Sequence, residues 1–345
     1  MARIFTASRL LYAGLILLGI AAVLYLVPSG RYLVLPDRAQ SVAPYVQVQG
    51  ERDDDDGGGF YYVAVEIKKA SILEKLFPWV YEGATLVPSS QVRAPGESDS
   101  EHRRAELRAM AQSQEIAAAV ALKALGYDVA VHAPGTLILS VKRDGPSAGK
   151  LKPKDVVIAV DGRRPLSPAD LRRLITRHRP GQTVQLKVRR GDRLLMFSVK
   201  TVADSEDPSR ALIGVTTPSD CTTQSPSQVE LPLRVHIDLG QVGGPSAGLA
   251  FALDIAEELG RDIDRGHKIA ATGELCMDGT VGPVGGLKQK TIGAKEAGVD
   301  VFLVPAGDNA KVARRYAGNM RVVPVNSYRQ ALHELATLSK KERNS

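Results

Sequence analysis

Residues Gly243–Leu259 read GGPSAGLAFALDIAEEL, a small-residue turn that runs into an apolar stretch with helical spacing. The run LRVHIDL ends just upstream at Leu239 and alternates like a strand. Downstream, KIAATGEL (Lys268–Leu275), VDVFLVP (Val299–Pro305) and MRVVPV (Met320–Val325) also read as strands. GGLKQKTIGAKEAG (Gly285–Gly298), NAKVARRYA (Asn309–Ala317) and YRQALHELATL (Tyr328–Leu338) read as helices. Strands alternating with helices predict a mixed α/β domain over the C-terminal part of the chain.

The turn carries a chemical candidate. Ser246 stands at the start of the predicted helix, where orphan backbone N–H groups and the positive end of the dipole lie near its hydroxyl. An oxyanion formed there would be stabilised by about 2.7–4 kcal/mol per donor. Gly243 and Gly244 have no Cβ and let a substrate backbone approach closely. The same pentapeptide GPSAG occurs at Gly145–Gly149, but Lys150, Lys152, Pro153 and Lys154 follow it and no long helix opens, so Ser147 reads as a turn residue.

A serine hydroxyl needs a base. His236 and Asp238 are two apart on one strand; their side chains project in parallel and do not make the head-on pair of a triad. A lysine serves instead once burial keeps it neutral. Lys288 and Lys290 both lie in VGPVGGLKQK, about 200° apart on a helix, so only one can face the serine. Spacing alone does not choose between them.

The stretches GGPSAGLAFAL, ATGEL and GTVGPVGGLKQKTIGAKEAGV, in that order, resemble the proteolytic domain of the Lon family, serine peptidases with a Ser–Lys dyad. The resemblance implies Ser246 as nucleophile and Lys290, the second lysine of G-G-L-K-x-K, as its base, with Thr272 of T-G-E helping to hold the lysine. Gly243 stands where many members carry an acidic residue. Tyr45–Gly50 and Phe60–Ile67 read as a hairpin around the acidic tip ERDDDDGGG, and Glu101–Leu125 as an Ala-rich helix. These resemble the opening elements of the same domain.

Between them, GTLILSVKRDGPSAGKLKPKDVVIAVDG (Gly135–Gly162) and the helix Pro168–Arg177 resemble a bacterial PDZ domain. That implies binding of an extended peptide, usually a C-terminus, as an added strand, with the carboxylate loop near Pro134–Leu137. From Lys142 to Lys200 there are sixteen Lys or Arg against five Asp, and Phe197 is the single Phe, Tyr or Trp among them. This argues against nucleic acid and for a solvated basic surface or attraction to anionic lipid headgroups.

Leu10–Val27, LLYAGLILLGIAAVLYLV, has eighteen residues without a charge, which predicts an uncleaved membrane anchor. A short N-terminus and a large C-terminal body place that body outside the cytoplasm, in a single-pass arrangement. The 345 residues suit about two domains, and a net charge of +7 is mild. Cys221 and Cys276 are too few for a disulfide scaffold or a four-ligand zinc site; they are either paired or reduced. The six histidines are scattered without H-E-x-x-H, so no metal or other cofactor is expected. No G-x-x-x-x-G-K-[ST] occurs and the chain ahead of the peptidase is too short for an ATPase module, which predicts ATP-independent chemistry.

The predicted fold class is α/β (α+β): a Lon-type proteolytic domain with an inserted mainly-β PDZ domain and one N-terminal transmembrane helix. Residues 1–30 form the tail and anchor, 31–125 the hairpin and helix, 126–203 the PDZ domain and 211–340 the proteolytic domain. The predicted function is serine endopeptidase action on unfolded or flexible proteins, with tails captured by the PDZ domain. The resemblance adds a homohexamer. The alternative is a catalytically inactive, membrane-anchored PDZ scaffold.

Overall fold

The computed structural model describes residues 2–50, 57–93, 96–132, 135–205, 207–217 and 228–341; of residues 2–10, 131–132 and 228 only the backbone is described. Helix α1 (Ala2–Leu26) precedes strands β1 (Pro28–Pro36), β2 (Gln40–Ser41), β3 (Val46–Val48), β4 (Gly59–Tyr62) and β5 (Val65–Ser71). The short helix α2 (Ile72–Leu76), strand β6 (Thr85–Pro88) and the long helix α3 (Asp99–Ala124) follow. Ser71 and Ser98 start α2 and α3 through capping boxes closed by Glu74 and Glu101. Among the described residues no helix is long and apolar enough to cross a membrane.

The basic middle segment holds β7 (Ala130–His132), β8 (Thr136–Leu137), β9 (Ser140–Val141), β10 (Val156–Val160), α4 (Pro168–Thr176), β11 (Thr183–Arg190) and β12 (Arg193–Lys200). The short strands β13 (Val202–Ala203), β14 (Ala211–Leu212) and β15 (Val215–Thr216) close it. Its sheet runs β12-β11-β10-β8. Ser167 caps α4, Pro168 starts it, and Leu171, Leu174 and Ile175 pack on Val157, Val184, Leu186 and Val199. This core is separate from those of the rest of the chain, as an independent domain requires. Ser147 is buried and donates to the Ile213 carbonyl at 2.6 Å. The first GPSAG is therefore a turn pinned to the returning chain.

The C-terminal part holds β16 (Gln228–Glu230), β17 (Val235–Ile237), α5 (Gly248–Glu258), β18 (Lys268–Ala271), β19 (Glu274–Leu275) and β20 (Val281–Gly282). Helix α6 (Leu287–Glu296), β21 (Val301–Pro305), α7 (Asp308–Tyr316), β22 (Arg321–Val325) and α8 (Tyr328–Ala336) complete it. A five-stranded sheet runs β2-β4-β18-β21-β22, parallel from β4 to β22 with β2 antiparallel at the edge. Every residue of β21 is buried, as in a sheet covered on both faces. Val301 and Leu303 pack with α3, α5 and α8, whereas Phe302 and Val304 pack with α6 and α7.

The expected hairpin does not form. β3 pairs with β17, β4 lies between β2 and β18, and β5 pairs with β1. Phe60 and Tyr62 are buried in the central sheet, and a strand inside a parallel sheet takes partners from distant chain. The acidic run 51–56 lies outside the described residues. Strand β4 thus shares one sheet with β18, β21 and β22, and the basic middle segment lies between them in sequence.

Candidate active site

Two helices from opposite faces of the sheet meet at the carboxyl end of its central strand β18. Ser246 lies in a 3-10 turn, Pro245–Ala247, directly ahead of α5, which covers one face. Lys290 lies in the first turns of α6, which covers the other. Thr272 follows the last residue of β18, at the carboxyl end of that parallel strand. The Gly273 N–H donates to the Ser246 carbonyl at 2.9 Å, which ties the serine turn to this strand end.

The Lys290 Nζ is 2.6 Å from the Ser246 Oγ and 3.2 Å from the Thr272 Oγ1. The Thr272 hydroxyl in turn donates to the Ser246 carbonyl at 3.2 Å. With its proton so placed, the threonine oxygen offers a lone pair to the amine, and the amine keeps its own lone pair for the serine hydroxyl. Lys290 is 3% exposed. Burial disfavours its charged form and lowers its pKa to about 7. Lys288 points elsewhere: its Nζ donates to the Ala84 carbonyl at 3.1 Å and lies over the Tyr316 ring. The choice that spacing left open falls on Lys290 as the lysine beside the serine.

Gly243 and Gly244 lie against α3. A Cβ on Gly243 would stand 2.8 Å from the Glu106 Cβ, and one on Gly244 would stand 3.0 Å from the Glu106 Oε2. The Gly244 N–H donates to the Glu106 carbonyl at 3.0 Å, so it is committed to the helix. These glycines make room for α3 as well as sparing a Cβ near the serine. Glu106 reaches this flank of the serine turn from a helix far away in sequence. Ser113, also on α3, donates to the Pro245 carbonyl at 3.0 Å. Neither residue carries a sequence signal beyond its place on a helix.

Gln289, buried on α6, donates to the Gly83 carbonyl and to the Thr85 hydroxyl, anchoring the lysine helix to the start of β6 and the turn before it. His236 and Asp238 do not bond to each other; the Asp238 carboxylate accepts from the Gly240 N–H. Cys276 is disulfide-bonded, and Cys221 lies outside the described residues. Among the described residues one acidic trio, Glu257, Asp262 and Asp264, brings oxygens within 4.8 Å of one another. It is already engaged: Glu257 accepts from the Ile263 and Asp264 N–H groups, and Asp262 from Lys340.

A buried amine of lowered basicity beside a serine hydroxyl, at the end of a parallel strand, defines a serine–lysine arrangement on a mixed α/β scaffold. Residues 217–337 match the Lon protease (S16) C-terminal proteolytic domain, and residues 123–201 match the PDZ domain. The C-terminal part of the chain is thus similar to the Lon proteolytic domain and its middle segment to the PDZ domain.

Lon protease 1 of Myxococcus xanthus is 34% identical over 115 residues, 32% of this chain and 14% of the relative. The Lon protease of Desulforamulus reducens is 39% identical over 101 residues, 28% of this chain and 11% of the relative. The chain therefore spans only a small part of the length of these curated relatives. The solved PDZ domain of the SdrC-like protein of Listeria innocua is 30% identical, covering 24% of this chain and 93% of its own, with a TM-score of 0.23.

Proposed function

We propose that the protein is an ATP-independent serine endopeptidase in which Ser246 is the nucleophile, Lys290 the general base and Thr272 a positioning residue. The observation that carries this reading is the 2.6 Å contact between Ser246 and a buried lysine whose pKa lies about 7. Neutral Lys290 takes the Ser246 proton as the oxygen attacks the substrate carbonyl carbon. The resulting ammonium gives that proton to the departing amine nitrogen as the C–N bond breaks, leaving an acyl-enzyme. Water then attacks the ester, Lys290 takes its proton and returns it to the Ser246 oxygen, and a carboxylic acid leaves. Thr272 fixes the amine through the whole cycle, because it binds both the Nζ and the Ser246 backbone.

On this reading the enzyme works on flexible or unfolded segments without ATP. We read the PDZ domain, residues 126–203, as an insertion in the peptidase that captures substrate tails; the shared sheet of β4 and β18 supports this. We read α1 as a single-pass anchor with the body outside the cytoplasm, on the strength of the uncharged run Leu10–Val27. A homohexamer belongs to the same reading.

The test is casein hydrolysis by the full chain, with Ser246→Ala and Lys290→Ala as controls, and labelling by a serine-directed phosphonate. Turnover lost in both variants and a label on Ser246 support the reading. A folded wild-type protein that binds peptide tails, turns nothing over and takes no label would overturn it in favour of a PDZ scaffold.

A further inference from the structure

The apolar surface at the base of α1 does not stop with that helix. The N–H of Ile72, the first residue of α2, donates to the carbonyl of Val27, one residue beyond α1, at 2.9 Å, and α2 packs against α1. From α2 the chain enters the turn Phe77–Val80, where Trp79 and Val80 are each 71% exposed and Leu76 and Phe77 are also exposed. The Phe77 and Trp79 rings meet edge to face at 5.2 Å, which stiffens the turn while leaving it in solvent. Lys75, in the last turn of α2, stands just ahead of it, and Arg31 on β1 lies opposite Ala70, two residues before α2; both are exposed and neither is in an ion pair with a described residue. On α1 itself, the apolar side chains from Leu11 to Leu26 are exposed, apart from half-buried Ala21 and Leu24.

Four exposed apolar residues within five positions, two of them aromatic, are costly in water and need a partner. We propose that Leu76, Phe77, Trp79 and Val80 form a foot that inserts into the headgroup boundary of an anionic lipid bilayer where α1 leaves it. This rests on the reading of α1 as an anchor and extends it to a second contact. Three features favour lipid over protein. The patch follows directly on α2, which packs against α1 and bonds to the residue beyond it. A tryptophan with one apolar side and one polar N–H suits the membrane–water interface. Arg31 and Lys75 complement anionic headgroups. Such a foot would fix the tilt of the body over the membrane, because α1 and the foot give two attachment points.

Trp79 is the sole tryptophan of the chain, so its fluorescence reports on the foot alone. The experiment reconstitutes the full chain into vesicles of phosphatidylcholine and phosphatidylglycerol, and reads flotation and Trp79 emission separately. Flotation with a blue-shifted emission, quenched by lipid brominated near the headgroup and protected from aqueous acrylamide, is the expected result. In the surface variant Leu76→Ser/Val80→Ser the blue shift and the lipid quenching should be lost while flotation persists. Flotation with Trp79 open to acrylamide and untouched by brominated lipid overturns the foot and leaves the anchor standing. Failure to float overturns both. A blue shift that follows protein concentration in detergent without lipid assigns the patch to a second copy of the chain and overturns the proposal.

Discussion

The carbonyl oxygen of Asp37 occupies the space that a side chain on Gly293 would need. Gly293 lies three residues beyond Lys290 on α6, and its own carbonyl accepts from the Ala39 N–H at 3.2 Å. The lysine helix is thus seated directly on the N-terminal backbone. In an open helix Gly→Ala gains roughly 1 kcal/mol. At this position Gly293→Ala should instead cost about 1–3 kcal/mol, because backbone must move. Turnover should fall more than stability, since a shift of about 1 Å in a reacting group costs about a hundredfold. Urea unfolding and peptide hydrolysis on the same preparation measure both.

Ser246 and Ser147 share a pentapeptide and should part company on substitution. Ser246→Ala should lower turnover at least about a thousandfold with unfolding little changed. Ser147→Ala should leave turnover alone and cost about 1 kcal/mol, through loss of the buried bond to Ile213. Casein hydrolysis and thermal unfolding of the two variants separate the roles.

Activity should rise with pH through about 7, as Lys290 loses its proton in the folded protein. The same group gives a stability signature of known sign. Unfolded, the lysine holds its proton up to about 10.5; folded, only to about 7. Its burial therefore costs most below pH 7, and stability gained from this group grows from pH 7 towards 10.5. Lys290→Met should abolish turnover and be more stable than the parent at neutral pH, with the gap closing in alkali. Urea midpoints across pH check this.

A Cβ on Gly248 would lie 2.6 Å from the Ser113 Oγ. Gly248→Ala should cost about 1–3 kcal/mol, and Ser113→Ala about 1 kcal/mol for its bond to Pro245. The double variant should be more stable than the sum predicts, by about 0.5–3 kcal/mol, because removing the hydroxyl makes room for the methyl. Additive values would show that the serine turn has shifted instead.

Burial, reinforced by Asp264, raises the Glu257 pKa from 4.5 to about 7. A raised acid stabilises the fold fully below pH 4.5, and that contribution is lost as pH climbs through 7. Glu257→Gln should therefore be more stable than the parent at pH 8, with the difference vanishing towards pH 4. Its amide oxygen can still accept from Ile263 and Asp264. Thermal unfolding at the two pH values is the measurement.

Much of this was legible in the residues. The helical period of Gly248–Glu258 and the β-branched run of β21 report local preference and burial together, so their elements match the sequence reading within a few residues. Pairing was less legible. The alternation of Tyr45–Gly50 and Phe60–Ile67 fits a hairpin as well as it fits strands with remote partners, and only the burial of Phe60 and Tyr62 in the central sheet decides between them.

Sequence alone determined the chemical cast: a serine in a glycine-rich turn ahead of a helix, two lysines two residues apart and a threonine after a strand. Those are properties of residue type and spacing, which need no neighbour to be read. Tertiary structure alone decided which lysine meets the serine, that its amine is dry enough for its pKa to lie about 7, and that Glu106 and Ser113 line the turn. Each of those depends on groups far apart along the chain and on water excluded between them, and no local pattern encodes either.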